Sequence, residues 1–489
     1  MRLSRIFYKA LVSYMILPVL IFILGWIKPV IAIPAAVALC FMAYRLLRDT
    51  SSVAFELPLS HKDIRTLVLA SVVILVWVYL SGIGKLVFQN WDHIYRNAIF
   101  EMLVNNKWPI IKSFSFNGSD TPFLFVYYIG FWMPSAVIGK LFGITAGYYF
   151  QVFWSFAGVC LFYWLICCYL KRVSLLPLLL FVFFSGLDAV GTYFFTGTLV
   201  PLLSDSQIEW WAGLQFSSFT TQLFWVFNQA IPAWIFTIFL LLQNKNRYVI
   251  FILGSSLLFC PLPFIGLLPF VAYVLIRNAY QPYQQREIKT IFLDIFSVEN
   301  IIGGGISGLF TYVYFKANAS GQHMTILGAV TAEGPKFLIN IGAFLLFEVW
   351  IYALIIFRYQ KKNPLLYVAV LFLCTCPLVE IGYGGDYCMR ACIPAQVVLF
   401  LLVAQALYAS RKSGDKITII ALSAVFLIGA ITPLHEFDRT IQKTAESYKT
   451  GVPAYATALT EEELMVGNNV GSNFRGEALK SLFYKYLIK

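Results

Sequence analysis

Four ionisable side chains open the longest polar interruption in an otherwise apolar sequence. They are Asp92, His93, Arg96 and Glu101, near the start of the stretch 89–143. If this segment is helical, Asp92 and Arg96 share one face and can form an ion pair. Such a pair keeps a carboxylate ionised, which suits Asp92 to the role of a general base. A solvated loop helix that covers a helical bundle would carry similar charges, so that interpretation stays open.

A second set of basic side chains could bind an anionic group. Arg390, in the segment GDYCMR, offers a planar guanidinium that matches phosphate and precedes a predicted helix. The same side chain could instead pair with Asp386, one helical turn earlier. Lys140 could also meet a phosphate, or extend along the membrane interface. We predict a phosphate site formed mainly by Arg390, with Lys140 and Arg96 as secondary contacts.

Acidic residues beside tryptophan suggest a saccharide site, because carboxylates accept hydrogen bonds from sugar hydroxyls and an indole ring offers a flat apolar face. Asp205, Glu209 and Trp210 form such a group. Together with His93 and Glu101, they are our candidate acceptor or sugar contacts. Tryptophan also anchors proteins at the bilayer surface, which is the alternative for Trp210.

The cysteine and histidine pattern assigns no metal ligand. None of the nine cysteines is joined to a histidine by a spacing typical of zinc sites. His323 stands alone in a predicted loop, and we do not interpret it as a ligand. Cys388 and Cys392 lie close enough in sequence for a disulfide, but we predict two free thiols.

Composition identifies the class of protein that must hold these residues. Of 489 residues, 60% are hydrophobic and only 12% are charged, and the mean hydropathy is +0.75. Since a bilayer core about 30 Å thick needs roughly 20 apolar residues per helix, the apolar runs allow about a dozen crossings. The net charge of +12 resides in short Lys and Arg clusters between apolar runs, where it sets topology. We predict a polytopic membrane protein that does not bind nucleic acid.

The positive-inside rule selects one topology. The basic start MRLSRIFYK precedes an uncleaved first helix, which puts the N-terminus in the cytoplasm and Asp92 outside it. All basic clusters fall inside if 123–143 lies in the outer interface and 248–276 forms two short crossings. This gives about thirteen crossings and an extracytoplasmic C-terminus. After three crossings near 10–27, 29–47 and 66–87, they lie near 147–170, 173–190, 222–243, 249–260, 264–277, 298–315, 337–357, 364–381, 393–410 and 417–432.

The chain then divides into a transmembrane domain, 1–432, and a small extracytoplasmic tail, 433–489. Within the first, 89–143 is a catalytic loop with juxtamembrane helices. The tail is too short to form an independent hydrophobic core, and we expect it to pack on the outer loops. Its last part, Leu479 to Leu487, predicts an amphipathic helix with Phe483 and Tyr484 facing inward.

A resemblance connects this loop to a known superfamily. The segments DHIYRNAIFEM from Asp92, then NKWPI, then TPFLFVYYIGFWMPSAVIGKLFG, and a helix ending in LKR resemble the start of membrane glycosyltransferases of the GT-C fold. That superfamily includes protein O-mannosyltransferases and aminoarabinose transferases, and the similarity covers 66–172. It implies an all-α GT-C-like fold, a polyprenyl-phosphate-linked sugar as donor, a glycan or lipid-linked acceptor, and Asp92 as base. His93 stands where many members have a second acid, so a divalent metal is possible but not assigned.

Three acids at or within apolar helices support a rival interpretation. Asp188, Glu348 and Glu380 interrupt or end predicted crossings, and acids at membrane depth are typical of ion and substrate pathways. A transporter or flippase of a lipid-linked saccharide would use them. Such carriers usually consist of matched halves, and the sequence contains no detectable repeat.

Overall fold

The computed structural model describes residues 2–116, 119–198, 208–318, 325–326, 335–381, 385–467 and 470–489. Ten helices in these ranges are long and apolar enough to cross a membrane, which makes the chain a polytopic membrane protein in architecture. They are Leu3–Trp26, Pro29–Arg48, His61–Leu80, Ile144–Leu170, Phe219–Leu241, Pro261–Gln284, Ile288–Phe315, Phe337–Gln360, Ile393–Ser413 and Lys416–Thr450.

The helices, in chain order, are α1 (Arg2–Trp26), α2 (Pro29–Arg48), α3 (His61–Leu80), α4 (His93–Asn105), α5 (Met133–Phe142), α6 (Ile144–Leu170), α7 (Leu175–Val182), α8 (Asp188–Thr196), α9 (Phe219–Leu241), α10 (Val249–Ser256), α11 (Pro261–Gln284), α12 (Ile288–Ile295), α13 (Gly304–Phe315), α14 (Pro335–Leu345), α15 (Ile351–Gln360), α16 (Pro364–Thr375), α17 (Asp386–Ala391), α18 (Ile393–Ser413), α19 (Lys416–Gly429), α20 (Ile431–Thr450) and α21 (Glu461–Met465). The strands are β1 (Ile111–Phe116), β2 (Ser119–Phe125), β3 (Thr325–Ile326), β4 (Val379–Glu380) and β5 (Arg475–Glu477).

Three of the predicted crossings are not long helices. The stretch 173–190 holds the short helix α7 and the start of α8, and 249–260 holds only the eight residues of α10. The third, 364–381, contains α16, which has 12 residues. Because a helix rises about 1.5 Å per residue, α10 extends about 12 Å, well short of a hydrocarbon core of about 30 Å. The number thirteen therefore remains a prediction beyond the ten long helices.

The fold is mostly helical, as predicted, but the loop between α3 and α6 also contains a sheet. Strands β1 and β2 form an antiparallel hairpin, with Ile111 opposite Leu124. Strand β5 of the C-terminal tail pairs with β2, giving the order β1-β2-β5. The sequence carried a signal for the hairpin, since segments with aromatic residues flank Asn117-Gly118, a dipeptide typical of tight turns. Helix α5 has ten residues and is too short to span a bilayer.

The C-terminal segment is joined to the rest of the chain at both ends. Helix α20 begins immediately after α19, so the predicted boundary between 432 and 433 falls within a helix. At the other end, the backbone N–H of Lys489 donates to Trp26, and that of Lys28 donates to Leu487. Phe483 is buried as predicted, while Tyr484 is half-buried.

Helix α9 is the centre of the bundle and determines the geometry of the site. In its most apolar stretch, 89% of residues are buried, and it packs against α6, α11 and α18. Val226 interrupts the helix with φ −132° and ψ 33°. The resulting kink lies opposite α4, the helix that begins at His93.

Candidate functional site

A cavity of about 610 Å³ joins the two parts of the chain that sequence analysis singled out. It brings Asp92 and Arg96 at the start of α4 together with Asp386 and Arg390 on α17. Aromatic and amide side chains complete the wall. The other lining residues are Trp91, Tyr95, Val126, Tyr127, Tyr128, Pro261, Leu262, Phe315, Lys316, Asn318, Ile381, Val470, Asn473 and Phe474.

The predicted pair of Asp92 and Arg96 is present. Arg96 Nη2 donates to Asp92 Oδ2 at 2.9 Å, and the Asp92 side chain is 24% exposed. Asp92 Oδ1 has no hydrogen-bond partner among the residues that the structure describes, and the side chain lines the cavity. One carboxylate oxygen is therefore held by the arginine, and the other is available to a ligand.

Arg96 is buried and uses its donors within the protein. Its Nη1 donates to the Tyr127 hydroxyl at 3.2 Å and its Nε to the Trp225 carbonyl at 3.4 Å. Burial acts against the charged form, but Tyr127 and Asp92 outweigh it and raise the pKa of Arg96. Arg96 therefore fixes Asp92 in place and has few N–H donors left to bind a phosphate.

Arg390 faces the same cavity from α17. Its Nη2 lies 3.0 Å from Asp386 Oδ1, so the pairing considered from the sequence is present. Its Nε is buried and has no partner in the described part of the chain. Burial opposes the charge, but Asp386, Tyr128 and Tyr127 together raise the pKa of Arg390. A permanently charged guanidinium that lines the cavity and is 13% exposed is suited to bind an oxyanion.

Two tyrosines that sequence analysis did not select separate the two arginines. The Tyr127 hydroxyl accepts from Arg96 and donates to the Tyr128 hydroxyl. Both phenols interact electrostatically with Arg390 as well. They follow β2 directly, so the hairpin positions them. The pair YY in the segment VYYIGF was visible in the sequence, but nothing there indicated that it would meet residues near 390.

His93 does not line the cavity, and its part in sugar or acceptor binding is not supported by its position. Its side chain is 1% exposed, with Nε2 2.9 Å from the Phe224 carbonyl and Nδ1 3.1 Å from Gln89 Nε2. Because a carbonyl can only accept, Nε2 carries the proton and Nδ1 accepts from the amide. Burial lowers the pKa of His93 to about 4. The residue is a neutral connection between α4 and α9.

This connection accounts for the kink of α9. Side chains that enter a helix's own hydrogen-bond ladder are a common cause of kinks. Here His93 and Arg96 bond to the carbonyls of Phe224 and Trp225, directly before the interruption at Val226. The central helix thus fixes the start of α4 and, through it, Asp92.

Glu101 and Lys140 also lie outside the cavity lining. Glu101 Oε1 accepts from Lys85 Nζ at 2.8 Å and from the Tyr148 hydroxyl at 2.8 Å. Lys140 Nζ donates to the carbonyls of Val104, at 3.1 Å, and Asn106, and it lies 4.9 Å from the centre of the Trp108 ring. Both charges are used to hold α4 against its neighbours. Neither lines the cavity, and the ligand roles given to them from the sequence stay predictions.

The predicted saccharide group is divided. Asp205 lies outside the described residues. Glu209 is buried, with Oε1 accepting from the Ser218 backbone N–H at 2.8 Å and Oε2 from Gln215 at 2.5 Å. Trp210 is exposed, and a Cβ built on Gly385, next to the cavity residue Asp386, would lie 3.4 Å from its ring. Of the two members that the structure describes, Trp210 lies at the edge of the cavity and Glu209 does not line it.

A second group of acids lies deeper. Asp188 and Glu348 are 1% and 6% exposed, and their carboxyl groups interact electrostatically. Asp188 Oδ2 accepts from Ser185 and Thr432, each at 2.8 Å. Asp188 Oδ1 and Glu348 Oε1 are buried and have no hydrogen-bond partner among the described residues. Both acids stand out in the sequence, but no feature of it indicates that they would lie together.

The donor set of the cavity does not fit a divalent cation. Such ions require several free carboxylate or carbonyl oxygens. Each cavity carboxylate, Asp92 and Asp386, is already paired with an arginine. No group of three or more His, Cys, Asp or Glu side chains suited to a metal occurs within the described ranges. Cys388 and Cys392 are free thiols.

Comparison with known proteins finds no family model, no curated protein and no solved structure that matches this chain. The grounds for a functional proposal are therefore the arrangement of the cavity and the resemblance of residues 66–172 to the start of GT-C membrane glycosyltransferases.

Proposed function

We propose that this protein is a GT-C-like membrane glycosyltransferase. It would move a sugar from a polyprenyl-phosphate donor to an extracytoplasmic glycan or lipid-linked acceptor. The observation that carries the proposal is the single cavity in which Asp92 and Arg390 meet although almost 300 residues separate them in sequence. A base and a phosphate-binding cation are the two groups that such a transfer needs.

The chemical step assigns a separate task to each group. Asp92 Oδ1 accepts the proton of an acceptor hydroxyl as the hydroxyl oxygen bonds to the anomeric carbon of the donor. The bond between that carbon and the phosphate oxygen breaks, and its electron pair leaves with polyprenyl phosphate. Arg390 stabilises the charge that develops on the phosphate through the part of its guanidinium that lines the cavity, since its side chain is 13% exposed. Arg96 orients Asp92 through their ion pair, whose N–O distance is 2.9 Å.

The topology proposed from the sequence puts this reaction outside the cytoplasm, with the N-terminus inside and the C-terminus outside. Helix α4 follows the third long helix, so three crossings separate it from the basic N-terminus. The cavity also borders Pro261 and Leu262 at the start of the long apolar helix α11. A lipid-linked donor needs such access from a membrane helix to a polar site.

The test is a transfer assay on purified protein, supplied with a panel of polyprenyl-phosphate-linked sugars and total envelope glycolipids as acceptors. We expect sugar transfer by the wild type and none by Asp92→Asn, because an amide keeps the shape but cannot accept the proton. Lys107→Gln is the matched control, since Lys107 is exposed and does not line the cavity. Equal turnover by Asp92→Asn and wild type would exclude Asp92 as the base.

The pair Asp188–Glu348 supports a second candidate, a proton-coupled transporter or flippase of a lipid-linked saccharide. Two buried carboxyl groups that act on each other, one of them within a long apolar helix, are typical of coupling sites in carriers. Flux measured in proteoliposomes separates the two functions. A transferase loses activity in Asp92→Asn and shows no proton-driven flux. A carrier loses flux in Glu348→Gln and tolerates Asp92→Asn.

A further inference from the structure

Lys316 is the cavity cation that neither the sequence nor the proposed function uses. It follows the last residue of α13 and its side chain is exposed. Its ammonium lies 5.7 Å from the centre of the Tyr312 ring, and no carboxylate pairs with it among the described residues. It therefore differs from the two arginines, each of which has an acidic partner.

Hydrogen bonds on both sides of Lys316 hold it at the cavity wall. Two residues earlier, the Tyr314 hydroxyl donates to the Phe125 carbonyl at 3.0 Å and accepts from the Tyr127 N–H at 3.1 Å. Two residues later, Asn318 Nδ2 donates to the Val126 carbonyl at 3.2 Å. The end of α13 is thus bonded to the backbone that leads directly into Tyr127 and Tyr128.

The charges of the wall give Lys316 a distinct role. Asp92 neutralises Arg96, and Asp386 neutralises Arg390, so both pairs are locally balanced. Among the charged lining residues that the structure describes, Lys316 supplies the uncompensated positive charge. An ammonium that is free to move on its flexible side chain can follow a phosphate through a reaction.

From these observations we infer that Lys316 is a phosphate-binding residue that recognises the charge of the leaving group. The inference rests on the proposed function. A donor phosphodiester carries one negative charge, whereas the released polyprenyl phosphate, as a monoester, carries close to two at neutral pH. Lys316 gains attraction as that second charge develops, and it takes the role that the sequence had suggested for Lys140.

Isothermal titration of the purified full-length chain with farnesyl phosphate, a soluble short-chain polyprenyl monophosphate, tests this. The methyl diester of farnesyl phosphate carries one negative charge and farnesol carries none, so these two compounds serve as matched probes. We expect the wild type to bind the monoester most tightly. Lys316→Gln should lose about ten- to a hundredfold for the monoester and less for the diester, as expected for a charge-assisted hydrogen bond. Lys316→Arg should retain most of the affinity.

The controls separate the possible failures. Lys107→Gln removes an exposed lysine that does not line the cavity and should bind like the wild type. If the wild type binds the monoester and Lys316→Gln binds it equally well, the inference is wrong and the proposed donor site stands. If the wild type binds farnesyl phosphate no better than farnesol, both the donor site and the role of Lys316 are rejected.

Discussion

His93 makes the folded chain sensitive to acid, and the size of the effect follows from its surroundings. Burial holds its pKa near 4, against 6.5 for the free side chain. Between these values the unfolded chain binds a proton that the folded chain does not. Stability conferred by the neutral ring is therefore complete above pH 6.5 and is lost as pH falls toward 4. At about pH 5 the linkage relation gives a loss of about 2 kcal/mol.

The substitution that isolates this effect is His93→Gln. A glutamine amide can still donate to the Phe224 carbonyl, which His93 Nε2 contacts at 2.9 Å, but it does not titrate. Unfolding by sodium dodecyl sulfate in mixed micelles, followed by tryptophan fluorescence, should be measured at about pH 7.5 and about pH 5. We expect the wild type to lose about 2 kcal/mol more than the variant between these conditions.

The difference between the two pH responses is what matters, because other titrating groups are common to both proteins. Gln89 fixes the ring tautomer, since its Oε1 accepts from Asn97 Nδ2 at 2.9 Å and its amide group must then face Nδ1. A variant whose stability falls with pH as steeply as that of the wild type would refute the assignment of a neutral, buried His93.

Further predictions concern the cavity and the deeper acids. Arg390→Ala should weaken farnesyl phosphate binding about ten- to a hundredfold, with Arg390→Lys recovering part of it, by calorimetric titration. Tyr127→Phe removes the acceptor of Arg96 and should lower donor turnover, at a stability cost of about 1 kcal/mol in detergent unfolding. Gly186→Ala would put a Cβ 1.8 Å from Glu348 Oε2, and it should destabilise the chain by about 1–3 kcal/mol in the same assay. An unchanged affinity of Arg390→Ala, an unchanged turnover of Tyr127→Phe or an unchanged stability of Gly186→Ala would contradict the contact that the substitution removes or disturbs.

Local spacing made part of the site predictable. Asp92 and Arg96 lie one helical turn apart, as do Asp386 and Arg390, and both pairs form as the spacing indicates. The resemblance in the first loop drew attention to Asp92. Apolar runs of bilayer length predicted most of the long helices, because such runs have few other stable environments.

Contacts between distant segments were not predictable in this way. The kink at Val226 directs two carbonyls to α4, and nothing in the local sequence requires a helix to break there. Helix α20 buries a polar face, on which Glu436 accepts from Trp225 Nε1 at 3.0 Å. Its polar composition suggested a separate tail that begins at 433, whereas the helix runs without a break from Ile431 to Thr450. Lys140 was predicted to bind phosphate because of its position in the sequence. Its ammonium group instead donates hydrogen bonds to the backbone carbonyls of Val104 in α4 and of Asn106, the residue after that helix.

The most direct test of the central claim is an electron cryomicroscopy structure of the purified chain with a bound polyprenyl monophosphate. We expect phosphate density in the 610 Å³ cavity, within hydrogen-bonding distance of Arg390, with the isoprenoid chain leaving toward the membrane beside α11. Lipid density at another site, with the cavity of Asp92 and Arg390 left empty, would contradict it.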